Sequence, residues 1–194
     1  RCISFLSQIG YDKSHAAIKS GINFLKQEQE EDGSWFGRWG TNYIYGTWSV
    51  LSALKISGEN MEFPYIKRSV DWLLDHQLEN GGWGESCDSY FKGYNTAHYE
   101  EKLGESLPSQ TAWAILGLMA AGEIQHEAVS RGINFLISTC NENGDWYEKH
   151  YSAVGFPRVF FLRYHGYRLY FPLIALARYR YLKNENTTQP IFGI

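Results

Sequence analysis

The sequence predicts an all-α fold, a partial α/α toroid built from helix-pair repeats, and three observations carry that prediction. One phrase occurs three times: Gly21-Ile22-Asn23-Phe24-Leu25 … Gln29 … Gly33-Ser34-Trp35, then Ser69-Val70-Asp71-Trp72-Leu73 … Gln77 … Gly81-Gly82-Trp83, then Gly132-Ile133-Asn134-Phe135-Leu136 … Cys140 … Gly144-Asp145-Trp146. An aromatic stands 11 residues before each closing Trp, and the Gln or Cys stands 6 before it. Each copy opens on an amphipathic helical pattern that exposes Lys and Glu, whereas the segments Thr47–Gly58 and Thr111–Gly122 are apolar nearly all round. Units made of an outer amphipathic and an inner apolar helix cannot bury their faces singly, so they stack, with the inner helices lining a central space.

In chain order, the first outer helix leads to the turn at Gly33 and Trp35, and an inner helix runs from Thr47 to Gly58, a C-terminal cap followed by Glu59. The second unit repeats this through Trp83 and Thr111 to Gly122 and Glu123. Its internal link is 16 residues longer, and the additional stretch Cys87–Ser106 holds Tyr90, Phe91, Tyr94 and Tyr99 with little apolar periodicity. Pro108 sets the start of the inner helix that follows. In the third unit Phe156, Phe160, Tyr164 and Tyr167 fall at i, i+4, i+8 and i+11, which a helical run would place on one face. Pro157 opposes helix at Phe156, and Gly166 with Pro172 is expected to break the later part. Residues 1–184 are read as one segment of a toroid domain and 185–194 as a polar tail.

Among the 194 residues, 16% are aromatic, and the net charge of −3 with a pI near 6.1 gives no basic signature for nucleic acid. No apolar run reaches the length of a membrane span, and the start at Arg1 points to a longer protein. Cys2, Cys87 and Cys140, odd in number and far apart, suit free thiols in a reducing compartment. Between Lys149 and Lys183 seven cations occur without Asp or Glu. Such a block is either a solvated face or a contact for an anionic lipid surface.

Conventional catalytic groups are scarce. There is no G-x-S-x-G, H-E-x-x-H, phosphate loop or paired-Cys zinc site, so no cofactor or metal is expected; Glu85-Ser86-Cys87 with distant His98 has no specific ligand spacing. The closing Trp residues read as clasps: a Gln amide (Gln29, Gln77) bonds backbone of the next turn while the indole (Trp35, Trp83, Trp146) packs over it. Cys140 makes no amide bond, so the third clasp is expected to be weaker. Two aromatic clusters, from Trp35 to Gly46 and from Gly155 to Tyr167, have two readings from spacing alone: ordinary core, or the wall of a site.

The Gln … Gly-x-Trp signature resembles the QW motifs of triterpene cyclases. Gly33-Ser34-Trp35-Phe36-Gly37-Arg38-Trp39-Gly40-Thr41-Asn42-Tyr43-Ile44-Tyr45-Gly46-Thr47 is similar to the segment found in squalene–hopene cyclases, as are Gly81-Gly82-Trp83-Gly84-Glu85, Pro108-Ser109-Gln110-Thr111-Ala112-Trp113-Ala114, and Gly155-Phe156-Pro157 running to Tyr170-Phe171-Pro172. The similarity runs in order over roughly residues 15 to 183. It implies a proton-initiated carbocation cascade on squalene, giving a pentacyclic hopene- or hopanol-type product. Aromatic π faces stabilise such cations without trapping them, a dry cavity delays quenching, and a preformed shape folds the polyene.

Carried over by resemblance, Trp39 lines the cavity near the first rings and Tyr45 belongs to the polar network near the acid. Phe156 and Phe160 face the cations of the middle and later steps, Leu162 shapes the cavity, and Tyr164 and Tyr167 line or support the initiation side. Glu85 and Tyr90 lie near the region that positions the acid. The family's Asp-x-Asp-Asp proton donor is absent, since Asp12, Asp32, Asp71, Asp75, Asp88 and Asp145 form no such cluster. The resemblance therefore implies the C-terminal portion of an enzyme, inactive alone, whose missing N-terminal part carries the acid. It also implies monotopic contact with the cytoplasmic face of a membrane. Two alternatives stand beside it: a non-catalytic toroid remnant that binds lipid or a partner, and a prenyltransferase-like subunit requiring zinc.

Overall fold

The repeat pattern translates into alternating outer and inner helices in the computed structural model, which describes residues 1–92 and 104–184. Tyr94, His98 and Tyr99, together with the tail from 185 to 194, lie outside the described residues. The outer helices are α2 (Ala16–Gln27), α4 (Pro64–Asp75) and α6 (Glu127–Thr139). Each buries a single stripe, such as Ile18 and Ile22 on α2 or Ile66, Val70 and Leu73 on α4. His15 and His126 cap α2 and α6 by accepting from the amides of Ala17 and Ala128, and Phe63-Pro64 starts α4 with Pro in its first turn.

The inner helices are α3 (Tyr43–Ile56), α5 (Pro108–Ala120) and α7 (Tyr167–Asn184), and a short α1 (Cys2–Gln8) packs on α2 and α3. α5 lies between α3 and α7, and every one of its residues is buried. Trp48 on α3 and Trp113 on α5 stack with ring centroids 6.0 Å apart and planes 7° from parallel; Phe171 on α7 meets each edge-on at 5.3 Å. This aromatic column ties the three inner helices into one core.

The clasps have a defined geometry. The Gln29 amide donates to Gly33 O (2.8 Å) and, across to the next outer helix, to Tyr65 O (2.7 Å). Gln77 does the same to Gly81 O and Ala128 O, both at 2.8 Å. The indoles of Trp35, Trp83 and Trp146 donate back to Leu25 O, Leu73 O and Leu136 O at the ends of their own outer helices. Gly33, Gly81 and Gly144, at equivalent places, have φ of +95°, +87° and +76°, a region that L side chains avoid. In the third copy Cys140 Sγ bonds only its neighbour Asn141 O, so among the described residues only the indole bond remains. Gln77→Ala is expected to destabilise the chain by about 1–2 kcal/mol, because it strips the Ala128 and Gly81 carbonyls of a donor. Cys140→Ala should cost under about 0.5 kcal/mol. Urea midpoints of the two variants check the contrast.

Three expectations need correction. The first inner helix begins before Thr47, at Tyr43, because the Glu85 carboxylate from the following repeat satisfies its first amides (below), whereas α5 starts at Pro108 as its sequence predicts. Thr47 and Thr111 sit a turn inside, where their hydroxyls accept from the amides of Trp35 (3.1 Å) and Trp83 (2.9 Å). Phe156 and Phe160 do not lie on a helix but on an antiparallel hairpin, β1 (Ala153–Phe156) and β2 (Phe160–Leu162), turning at Pro157-Arg158, while Tyr164 follows the hairpin and Tyr167 opens α7. Arg158 has φ +67°, and Val159 N bonds Phe156 O at 3.0 Å, so the turn breaks the helical period. Neither Gly166 nor Pro172 ends a helix: Gly166 O accepts the amides of Leu169 and Tyr170 as α7 begins, and α7 continues through Pro172, held by its packing along α5.

The cations between Lys149 and Lys183 bond in part within the protein. Arg163 donates to Lys149 O, Arg168 to Trp146 O with Asp145 3.4 Å away, and Lys183 to Gln125 at 2.9 Å. Among the described residues no helix is long and apolar enough to cross a membrane.

Candidate functional site

A small sheet carries the first group of candidate residues. Residues 39–41 lie antiparallel to β1: Val154 N donates to Trp39 O, Thr41 N donates to Ser152 O, and Gly40 pairs with Ala153. β2 flanks β1 on its other side, with Leu162 opposite Ala153 and Phe160 opposite Phe156. Phe156, Phe160 and Leu162 are thus borne on the two strands, and Trp39 on the segment that bridges to β1. The Phe156 and Phe160 rings meet at 5.7 Å, edge to face. Trp39, Phe156 and Phe160 are about half exposed (53%, 54% and 44%), and Leu162 is half-buried. Phe156, Phe160 and Leu162 share one side of the pairing, and large apolar rings left uncovered in this way mark a candidate contact surface.

The second group gathers where the inner helices begin. Tyr45, on the first turn of α3, packs edge-on to Trp48 (5.5 Å) and Trp113 (5.0 Å), and its ring rests on Gly40, so the two groups touch. Tyr167 meets Trp113 at 5.6 Å, Phe171 at 5.1 Å and Tyr164 at 5.0 Å. Burial pushes the Tyr167 phenol up to about 12, so it is a neutral hydroxyl across the physiological range. The Arg1 guanidinium sits 4.8 Å from the Trp48 ring centre and donates to the Tyr45 hydroxyl (3.4 Å). An apolar groove of 380 Å³ opens beside this cluster, lined by Phe24, Phe36, Trp39, Tyr45 and Val50 with Arg1.

Glu85 and Tyr90 brace the face from behind. The buried Tyr90 hydroxyl is shared between Gly37 O (2.9 Å) and Gly40 O (2.8 Å), and its ring contacts Phe161 at 6.1 Å and Phe36 at 5.6 Å. Burial holds its proton far above neutral pH. Glu85 is buried and accepts the amides of Asn42, Tyr43 and Ile44, each at 3.0 Å, so its carboxylate caps α3. Gln110 locks the arrangement: its Oε1 accepts from Glu85 N, and its amide reaches Thr41 O and Glu85 O. Desolvation pushes the Glu85 carboxyl upward, and the three helix amides pull against it. Three amides take most of the acceptor capacity of the Glu85 carboxylate. Among the described residues there is no cluster of His, Cys, Asp and Glu able to hold a metal.

Glu148 was missed by sequence reasoning. It is buried and repeats the role of Glu85 one unit on, accepting Ser109 N at the start of α5 (2.5 Å) and the Ser152 hydroxyl (3.5 Å). The signal was present, since Trp83-Gly84-Glu85 and Trp146-Tyr147-Glu148 share a Trp-x-Glu pattern. Burial likewise raises its carboxyl. Trp113 and Phe171, which complete the aromatic cluster behind Tyr45 and Tyr167, were also not singled out.

Amide-clasped outer helices, apolar inner helices and an uncovered aromatic face at the inner-helix starts define a segment of a triterpene-cyclase α/α toroid. The family model described as the squalene-hopene cyclase C-terminal domain matches residues 1–181, and the chain belongs to that family. It is 54% identical over 191 residues to the squalene–hopene cyclase of Zymomonas mobilis, covering 98% of this chain and 28% of that protein. The Alicyclobacillus acidocaldarius squalene–hopene cyclase is 47% identical over 88% of the chain and 26% of its own length, and human lanosterol synthase 34% identical over 87% and 23%. The chain thus spans about a quarter of the length of the relatives it matches.

Proposed function

We propose that the chain forms one wall of the active site of an enzyme that cyclises squalene to a pentacyclic hopene- or hopanol-type product. The observation that carries this reading is the joining of Phe156 and Phe160 on the hairpin with Trp39 on the segment that bridges to β1, their rings uncovered. Protonation of a terminal alkene by an acid outside this chain starts the cascade. Trp39 then faces the first rings, while Phe156 and Phe160 face the later cations, each ring contributing on the order of 1–2 kcal/mol once desolvated. Leu162 shapes the cavity. Tyr45 belongs to the network near the acid, and Tyr164 and Tyr167 support the initiation side. None of these wall residues is a strong nucleophile, so the charge can migrate without capture. Peripheral contact with the cytoplasmic face of a membrane belongs to the same reading, as the route by which a lipid substrate arrives.

Replacing the matching C-terminal part of the Zymomonas cyclase by this chain tests the proposal. The hybrid should convert squalene to pentacyclic product, and the 194-residue chain alone should not. In the hybrid, Phe160→Ala should lower turnover about tenfold. A folded hybrid that binds lipid but leaves squalene unchanged would instead favour a non-catalytic toroid.

A further inference from the structure

The starts of α3 and α5 lie where the aromatic face is rooted. Tyr45 is in the first turn of α3, Thr41 immediately precedes its cap residue Asn42, and Ser152, which touches Glu148, leads directly into β1. A helix N-terminus carries about half a positive elementary charge. Two such ends beside a face that meets a carbocation would oppose it. Each is met here by a buried carboxylate, and half a positive charge plus one negative leaves about half a negative charge at each helix start.

We infer that Glu85 and Glu148 are electrostatic positioning residues: two buried carboxylates that convert the inner-helix starts into anionic ends, so that the Trp39–Phe156–Phe160 face favours a cationic over a neutral occupant. The inference rests on the proposal that this face meets a cation. Geometry supports the ionised form, since both Glu85 oxygens receive backbone donors and the Glu148 oxygens receive the Ser109 amide and the Ser152 hydroxyl. A protonated carboxyl needs an acceptor in place of one of these donors. The same carboxylates fix the face mechanically. Glu85 holds residues 42–44 next to segment 39–41, and Glu148 holds Ser152, whose carbonyl receives Thr41 N. In a water-poor interior, such fixed charges act over several ångströms and cost no rearrangement when a cation forms.

The test uses the complete-length hybrid and two probes, a dodecyl chain ending in trimethylammonium and the same chain ending in neutral tert-butyl, with dissociation constants measured for each. The unsubstituted hybrid should prefer the cation. Glu148→Gln should lower the cation-to-neutral affinity ratio about three- to tenfold, with its fold retained because the Ser152 hydroxyl can turn to accept. Glu85→Gln should act likewise, and Glu148→Asp, which keeps the charge, should keep most of the ratio. An unchanged ratio in folded Gln variants overturns the inference while leaving the aromatic wall intact. Loss of folding in both Gln variants overturns it too, by making the carboxylates caps alone. Absence of any cation preference in the unsubstituted hybrid overturns it together with the wall reading.

Discussion

Trp113→Ala should cost about 3–5 kcal/mol, enough to leave a chain of ordinary stability partly unfolded at room temperature. Trp113 is fully buried on the central inner helix and is the ring that Trp48, Tyr45, Tyr167 and Phe171 all contact. Removing it opens a cavity that three helices border, and stacked helices cannot collapse into it without breaking the Trp83–Thr111 and Gln110–Glu85 bonds nearby. Trp113→Phe, which keeps a ring against Trp48, should cost less than half as much. Guanidinium titration followed by circular dichroism reads both. An alanine variant within 1 kcal/mol of the parent, by the usual linear extrapolation, would show that the column is not the core.

Gly46→Ala reverses the sign expected from helix propensity. Inside an exposed helix the change would stabilise by about 1 kcal/mol. On α3 the added Cβ would fall 2.0 Å from Trp35 O and 2.9 Å from Phe36 C, both backbone atoms of the clasp turn. Shifting that turn pulls Trp35 off Leu25 O and Thr47, so a loss of about 3 kcal/mol or more is expected. Gly58→Ala is the control. It has open space around it but φ +79°, and should cost only about 1–2 kcal/mol. Thermal melts that rank Gly46→Ala as no worse than Gly58→Ala would refute the close-approach argument.

The parts legible in the sequence are those with local causes. Outer helices announce themselves by periodicity, and the clasps by Gly, Gln and Trp at fixed offsets. The hairpin was not legible from spacing, because residues four apart can share a helix face or sit opposite each other across a three-residue turn; Phe156 and Phe160 satisfy both. Pro157 argued against helix at Phe156, but Arg158, an unusual residue for positive φ, hid the turn. The start of α3 was misjudged, and the carboxylate at the start of α5 missed, for a different reason. The caps come from Glu85 and Glu148, 43 and 39 residues after the amides of Asn42 and Ser109 that they receive, and a local reading cannot see them. The candidate wall aromatics were named by resemblance, whereas the contact of Trp113 with Phe171 appears only once α5 and α7 are packed together.

Each clasp fastens forward through an oxygen that belongs to the main chain, Tyr65 O for Gln29 and Ala128 O for Gln77. A joint of that kind asks nothing of its neighbour's side chain, since every residue carries a carbonyl. Units connected in this way can be duplicated, swapped or left to drift in sequence while the seam between them still closes. Tyr in one copy and Ala in the next, at the same joint, are that freedom written into a single polypeptide.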